Sequence, residues 1–289
     1  MVFAFILRII FFALILTNIL VTKVTCLRHL VKNKLNNFAM NEESKRETQE
    51  ENKSLVFVTK WPSMGVSKTR LIPALGEIGA FEFAQAMFND LVHNISDEEC
   101  MAEIKKILYF APEEKYNEAK EFLEVYGGED TWAMIPMIQG NQLTSTDLGA
   151  KLKQALKCAK EKFGSGPIAF IGMDTPHLSS ESLRNGFEVA SAGKAYICPA
   201  SDGGYVLLIL PCSANEEVFD NIRWSSESTC EDQKQSIVSN GIEVEEGDIY
   251  TDIDTIEDLL HFVSLLQSDQ VLIQRCQHCH QALQKLQLM

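Results

Sequence analysis

From Ser54 onward, short apolar runs alternate with amphipathic stretches, and this alternation narrows the choice of fold more than any other feature of the chain. Leu55–Thr59, Ile104–Ala111, Trp132–Ile138, Ile168–Met173, Ala195–Pro199 and Tyr205–Leu210 read as strands. Glu77–Leu91, Glu113–Tyr126, a stretch from about Thr146 and another from Ser179 read as helices. Strands separated by helices of this length predict an α/β domain with a mainly parallel sheet and helices on both faces. In such sheets the ligand crevice opens beyond the carboxyl ends of the strands. Chemistry is therefore to be sought in the residues just after each strand.

Local signals support the pattern. In Thr146–Phe163, Leu148, Leu152, Ala155, Leu156, Ala159 and Phe163 recur at helical spacing. Ser179 reads as an N-cap, with Leu178 and Leu183 placed as a hydrophobic staple. Thr255 and Asp258, just before Leu259, Leu260, Phe262 and Val263, form a capping-box signature.

The ends of the chain differ from this middle. Residues 1–22 carry one charge, Arg8, in a nearly continuous apolar run, so residues 1–26 read as a signal peptide or a membrane anchor. The secretory lumen and the cytosolic face of a membrane both remain open. Residues 27–53 read as a polar linker, ending in EESKRETQEENK, which has no apolar face to bury. Residues 54–266 form the expected catalytic domain and 267–289 a helical tail. In that tail Cys276, His278, Cys279 and His280 lie close in sequence, but no second Cys or His pair has zinc spacing, which favours an amphipathic tail over a metal site.

Twenty-six basic against forty acidic residues give a net charge of −14, which argues against a nucleic-acid partner. An anionic ligand must meet a local basic cluster, and the first strand ends in one. TKWPSMGVSKTRL, residues 59–71, carries Lys60, Lys68 and Arg70 in a loop with Gly65 and Thr69. Glycine lets a backbone approach an anion, while Lys and Arg supply phosphate contacts. It is not a Walker A loop, because Ser67 rather than glycine precedes the lysine, and no G-x-G-x-x-G comes after the strand. An ordinary solvated basic loop is the bland alternative.

Three further junctions carry carboxylates. GMDTP places Asp174 straight after a core strand, CPASDGGYVLL places Asp202 before Gly203 and Gly204, and DIYTDIDTIEDLL holds Asp252 and Asp254 ahead of a helix cap. Asp-Gly-Gly is also a common hairpin turn. The chain has neither a G-x-S-x-G elbow nor an H-E-x-x-H helix, so hydrolase readings lack a nucleophile or a zinc site. The reading that uses every junction is a divalent metal such as Mg2+ bridging Asp174 and Asp254 to a diphosphate, with Lys60, Lys68 and Arg70 on the remaining phosphate charge.

Lys60-x-Pro62-x-x-Gly65-x-x-Lys68-Thr69-Arg70-Leu71, Thr146-Asp147-Leu148-Gly149, Gly172-Met173-Asp174-Thr175-Pro176, Pro199 to Tyr205, Trp224-Ser225-Ser226 and Asp252-Ile253-Asp254-Thr255 occur in one order. Together they resemble the selenodomain-associated transferase family, a branch of the GT-A nucleotide-diphospho-sugar transferases, over about residues 54–265. The resemblance implies a GT-A, Rossmann-like α/β fold that binds a nucleotide with Mg2+ or Mn2+. It implies nucleotide contacts from Lys60, Gly65, Lys68, Thr69 and Arg70, and metal ligands among Asp174, Asp254 and Asp252. Asp147, Gly203, Gly204, Tyr205 and Trp224 would line the substrate side, with Asp202 as candidate general base beside Asp174. Where many GT-A enzymes have D-x-D, this chain has Asp174-Thr175-Pro176, a single carboxylate, which puts weight on Asp254 and on the substrate's phosphates. Glycosyl transfer from a nucleotide sugar to a small-molecule or glycan acceptor is the leading expectation. Nucleotidyl transfer from a nucleoside triphosphate and a non-catalytic nucleotide-sugar binder are the alternatives.

Overall fold

A computed structural model describes residues 52–97, 101–137 and 148–289. The apolar N-terminal segment, all but the last two residues of the polar linker, and Thr146 and Asp147 lie outside the described residues. Seven strands form one sheet: β1 (Ser54–Lys60), β2 (Lys105–Ala111), β3 (Trp132–Pro136), β4 (Ile168–Ile171), β5 (Ala195–Pro199), β6 (Tyr205–Leu210) and β7 (Val244–Glu246), in spatial order β3-β2-β1-β4-β6-β5-β7. All neighbours pair in parallel except at β6, which runs antiparallel to both β4 and β5. The order reverses at β1, whose neighbours are β2 and β4. Such a reversal is where an open α/β sheet leaves a crevice.

The period-2 alternation of the strands divides the core. Leu55, Phe57, Leu108, Phe110, Ala169 and Ile171 face one side, where α1 (Ile72–Asp97), α2 (Tyr116–Leu123) and α4 (Ser180–Ser191) cover them. Val56, Ile107, Tyr109, Ile168 and Phe170 face the other side, under α3 (Leu148–Phe163) and α5 (Thr229–Ser239). Each large apolar side chain fully enclosed in this way contributes about 1.5–3 kcal/mol. The sheet is thus mainly parallel and covered on both faces, as the sequence predicts.

The differences are local. The predicted Glu77 helix begins earlier, at Ile72, but breaks at Gly76, whose φ of 71° and ψ of 168° are not helical. Glu113–Tyr126 is a run of short helical pieces with α2 at its centre. β4 stops at Ile171, two residues before the predicted end, so that Gly172, Met173 and Asp174 form a loop. α5 and β7 have no counterpart among the predicted elements. Ser179 does cap α4, accepting from Ser182 N at 3.0 Å, with Leu178 and Leu183 both buried. Thr255 and Asp258 form a full capping box at the start of α6 (Ile256–Ser268).

The C-terminal residues continue the fold. α6, α7 (Gln270–Arg275) and α8 (Gln277–Lys285) pack on the outer side of α1, burying Phe83, Met87, Phe262, Cys276, Cys279 and Leu283 together. Asp90 of α1 is fully buried and accepts from the backbone N–H of His278 at 2.9 Å and of Cys279 at 2.8 Å, while His278 Nδ1 lies 2.8 Å away. The cysteine-histidine cluster therefore serves to dock a helix. Cys276 and Cys279 are free thiols, and burial pushes both thiols' pKa values up. No helix among the described residues is long and apolar enough to cross a membrane.

Candidate active site

β1 delivers Lys60 to the crevice, and Trp61 anchors the adjoining loop by packing on Phe88 and Phe122 with ring centroids 5.2 and 6.0 Å away. The loop then closes on itself: Ser67 N donates to Ser63 O at 3.0 Å and Ser63 N to Ser67 Oγ at 3.0 Å. Gly65 has φ +71°, and a Cβ there would sit 2.6 Å from a Glu77 carboxylate oxygen, so glycine is required for this turn. Lys68 itself adopts a left-handed backbone, φ 49° and ψ 43°, ahead of the 3-10 turn Thr69–Leu71. Leu71, fully buried, fastens that turn to α1.

The Lys68 side chain is only 4% exposed and crosses the crevice. Its Nζ donates to Asp174 Oδ1 at 2.5 Å, to the Ile253 carbonyl at 2.6 Å and to Asp254 Oδ1 at 2.9 Å. Burial pulls the ammonium pKa down, but the charges and hydrogen bonds of Asp174 and Asp254 outweigh it and leave the pKa raised. Two loops are therefore joined by one cation. Ile253 N donates back to the Asp174 carbonyl at 2.9 Å, and Thr175 Oγ1 to Asp252 Oδ1 at 2.9 Å, so the segment before α6 is clamped to the end of β4. Arg70, mostly exposed, reaches Asp254 Oδ2 at 3.4 Å. Burial lifts the Asp252 carboxyl to about 6; the Thr175 hydrogen bond opposes this, and the charges of Asp174, Asp202 and Asp254 add to it.

Two adjoining chambers meet at this point. One, of about 410 Å³, is lined by Lys60, Lys68, Thr69, Arg70 and Lys151 together with apolar Val66 and Met137. The other, of about 820 Å³, is lined by Asp202, Gly204, Tyr205, Trp224, Glu227 and Asp252. Arg70, Asp174 and Asp254 belong to both. A basic compartment is thus segregated from an acidic, aromatic one, with two carboxylates on the divide.

The sequence-derived residues fall into groups. Lys60, Lys68, Thr69 and Arg70 face the basic chamber, while Gly65 shapes its loop without lining it. Asp202 faces the acidic chamber, but its Oδ1 accepts from Gly204 N at 2.8 Å, which stabilises its own turn. Gly203 has φ +91° and lies so close to the Glu227 carbonyl that a Cβ would come within 2.2 Å; its own carbonyl accepts from Cys230 N. Its part is packing. Tyr205 donates to Gln233 at 3.1 Å, and burial pushes its phenol pKa up. Trp224 is half-buried against Gly149, where a Cβ would meet its Nε1 at 2.7 Å. Asp147 lies outside the described residues. Lys151 escapes sequence reasoning, because it is one of five lysines along α3 and nothing in spacing marks the one that faces the crevice.

The donor set suits a hard divalent cation. Two carboxylate oxygens and one backbone carbonyl already converge on a single cationic atom, and Mg2+ and Mn2+ prefer such all-oxygen surroundings. Among the described residues no group of three or more His, Cys, Asp or Glu side chains is arranged around a metal position. Asp174 and Asp254 would therefore need phosphate oxygens or water to complete a coordination shell.

Residues 103–226 match the family described as "uncharacterized protein conserved in bacteria (DUF2064)". Two solved structures are similar over most of their length. One is a "putative nucleotide-diphospho-sugar transferase" from Desulfovibrio desulfuricans G20, with 22% identity, a TM-score of 0.63, and coverage of 78% of this chain and 98% of that one. The other is a cytidylyltransferase from Leptospira borgpetersenii, with 12% identity, a TM-score of 0.50, and coverage of 82% and 95%. No curated protein matches the chain. At these identities the likeness speaks for the architecture: a GT-A-like α/β fold, built on a seven-stranded, mainly parallel sheet.

Proposed function

We propose that this chain is a metal-dependent transferase acting on a nucleotide-activated donor, and that it moves a glycosyl group from a nucleotide-diphospho-sugar to an acceptor hydroxyl. The observation that carries the reading is the junction of the two chambers, where Asp174 and Asp254 stand between a basic pocket and an acidic, aromatic one. Lys60, Lys68, Arg70 and Lys151 would hold the diphosphate, and Val66 and Met137 give the same pocket an apolar wall for a base. Asp174 and Asp254 would hold Mg2+ or Mn2+, which when bound stabilises the negative charge developing on the leaving phosphate. Trp224 and Tyr205 would bound the sugar and acceptor. Asp202 and Asp252 are two of the carboxylates there that could accept the acceptor's proton. The resemblance to the selenodomain-associated transferases and the similar structure from D. desulfuricans support this choice. The apolar residues 1–22 would keep such an enzyme in the secretory pathway or at a membrane.

Nucleotidyl transfer is the second reading. It is favoured by one observation, the convergence of Asp254 with Asp174, which offers two carboxylates to a metal on a triphosphate. The released product separates the two: a nucleoside diphosphate for glycosyl transfer, pyrophosphate for nucleotidyl transfer. The test is a thermal-shift panel of nucleotides and nucleotide sugars with and without Mn2+, then product analysis with the stabilising ligand. A Mn2+-dependent shift that Asp174→Asn abolishes is the expected result. No shift with any nucleotide would overturn the reading, and binding without turnover would identify a non-catalytic binder.

A further inference from the structure

Lys68 stands where a metal would have to be held. An ammonium has three N–H donors, and all three are engaged within the protein, with Asp174, Asp254 and the Ile253 carbonyl. In this arrangement it has none left for a phosphate. The side chain is nearly sealed from water, whereas the two carboxylates are 47% and 43% exposed and open to both chambers. A divalent cation attracted to the same oxygens thus meets a positive charge already bonded to both. The cation and the ammonium repel each other and require the same acceptors.

We propose that Lys68 competes with the metal for Asp174 and Asp254, and yields them only when donor phosphates arrive to accept its N–H groups. This rests on the transferase reading above and adds an order to it: metal and nucleotide enter together, and neither binds well alone. In the free protein Lys68 holds two like-charged carboxylates together in position. When phosphate arrives the ammonium exchanges carboxylate for phosphate oxygen, its charge stays compensated, and the vacated oxygens turn to the metal. By linkage, the nucleotide raises metal affinity by the same factor as the metal raises nucleotide affinity. Lys68 on this account has two successive sets of partners, the aspartates in the free protein and the phosphates once the donor is bound.

Deleting this site residue should, against the usual sign, tighten metal binding. Free Mn2+ is measured by electron paramagnetic resonance as it is titrated into the full chain, alone and with UDP, GDP or CDP. The wild-type protein is expected to bind Mn2+ weakly alone and at least about tenfold more tightly with its nucleotide. Lys68→Met is expected to bind Mn2+ alone on the order of tenfold more tightly than wild type, and to lose most of the nucleotide enhancement. Lys68→Gln, which keeps donors for the carboxylates without the charge, should change in the same direction, and circular dichroism verifies that each variant is folded. Mn2+ affinity that is unchanged or weaker in both folded variants would overturn the proposal while leaving the transferase reading intact. A failure of every form to bind Mn2+, with or without nucleotide, would remove both.

Discussion

Asp90 and Asp174 are both carboxylates in a strongly acidic chain, yet they are held in opposite ways. Asp90 lies in the middle of α1 with no exposure, and its charge is met by backbone N–H groups at the start of α8. Those donors are otherwise orphaned by helix geometry, and the helix dipole favours an anion there. Asp174 lies in the loop just after β4, about half exposed, and its charge is met by the tip of a lysine side chain. A backbone donor cannot leave without undocking its helix end from α1, whereas an ammonium can change partners by rotating about its own bonds. The comparison teaches that carboxylates of one chain can be answered in two ways: by fixed backbone donors where one supports the fold, and by an exchangeable side-chain donor where one lines a crevice.

Asp174→Asn should test that contrast most strongly. Transfer activity is expected to fall by about 10²–10³-fold, the scale associated with losing one charge-stabilising group, while the urea midpoint corresponds to less than about 1 kcal/mol of change. Asp90→Ala should show the reverse. Leaving two helix N–H groups and His278 without an acceptor should cost about 3 kcal/mol of stability in denaturant titration, with Mn2+-dependent nucleotide binding retained in the folded fraction. Equal losses of activity and stability in both variants would erase the distinction.

His177 links the two regions. It lies three residues after Asp174, its ring packs against Tyr250 and Phe262, and Arg275 just before α8 donates to the neighbouring Leu178 carbonyl at 2.6 Å. Burial, together with the positive charges of His261 and Arg275, lowers the His177 pKa to about 4. The unfolded chain, with a pKa near 6.5, takes up this proton first as pH falls. The neutral ring's contribution is therefore fully present above about pH 6.5 and lost as the pH falls from there towards 4, about 3 kcal/mol in all. His177→Gln should flatten that part of the stability-versus-pH curve. The smallest effect is expected of Arg70→Gln. Its exposed contact with Asp254 is worth under about 1 kcal/mol, so nucleotide affinity should drop severalfold without a change in the urea midpoint.

Six of the seven strands are legible because each is a short apolar run, the mark of a strand covered on both faces. β7 is not, since Val244-Glu245-Glu246 is a three-residue edge with little to bury. α5 is hidden for a different reason: its central buried position is Gln233, fully enclosed, which accepts from the Tyr205 hydroxyl and donates to the Val218 carbonyl. A polar residue in a core position removes the periodic signal that identifies a helix. Asp174 and Asp254 are legible as carboxylates ahead of a turn or a helix cap. Their convergence on Lys68 is not, because the partners are 106 and 186 residues apart, and only the pairing of β1 with β4 and the clamping of the segment before α6 to the Asp174 loop bring them together. The CQHCH segment draws attention to what its side chains could ligate, whereas its backbone N–H groups make the decisive contacts, and backbone contacts have no sequence signature.

The shared wall of the two chambers has a consequence for inhibitor chemistry. Because Arg70, Asp174 and Asp254 border both spaces, a single compound joining a phosphate mimic to a hydroxyl-rich ring would need only a short tether to fill them together. The second fragment would bind at the high effective concentration that a matched linker supplies, so two weak fragments would combine into one tight ligand. A cationic centre in the tether, lying against Asp174 and Asp254, would give such a molecule an anchor that either half alone would lack.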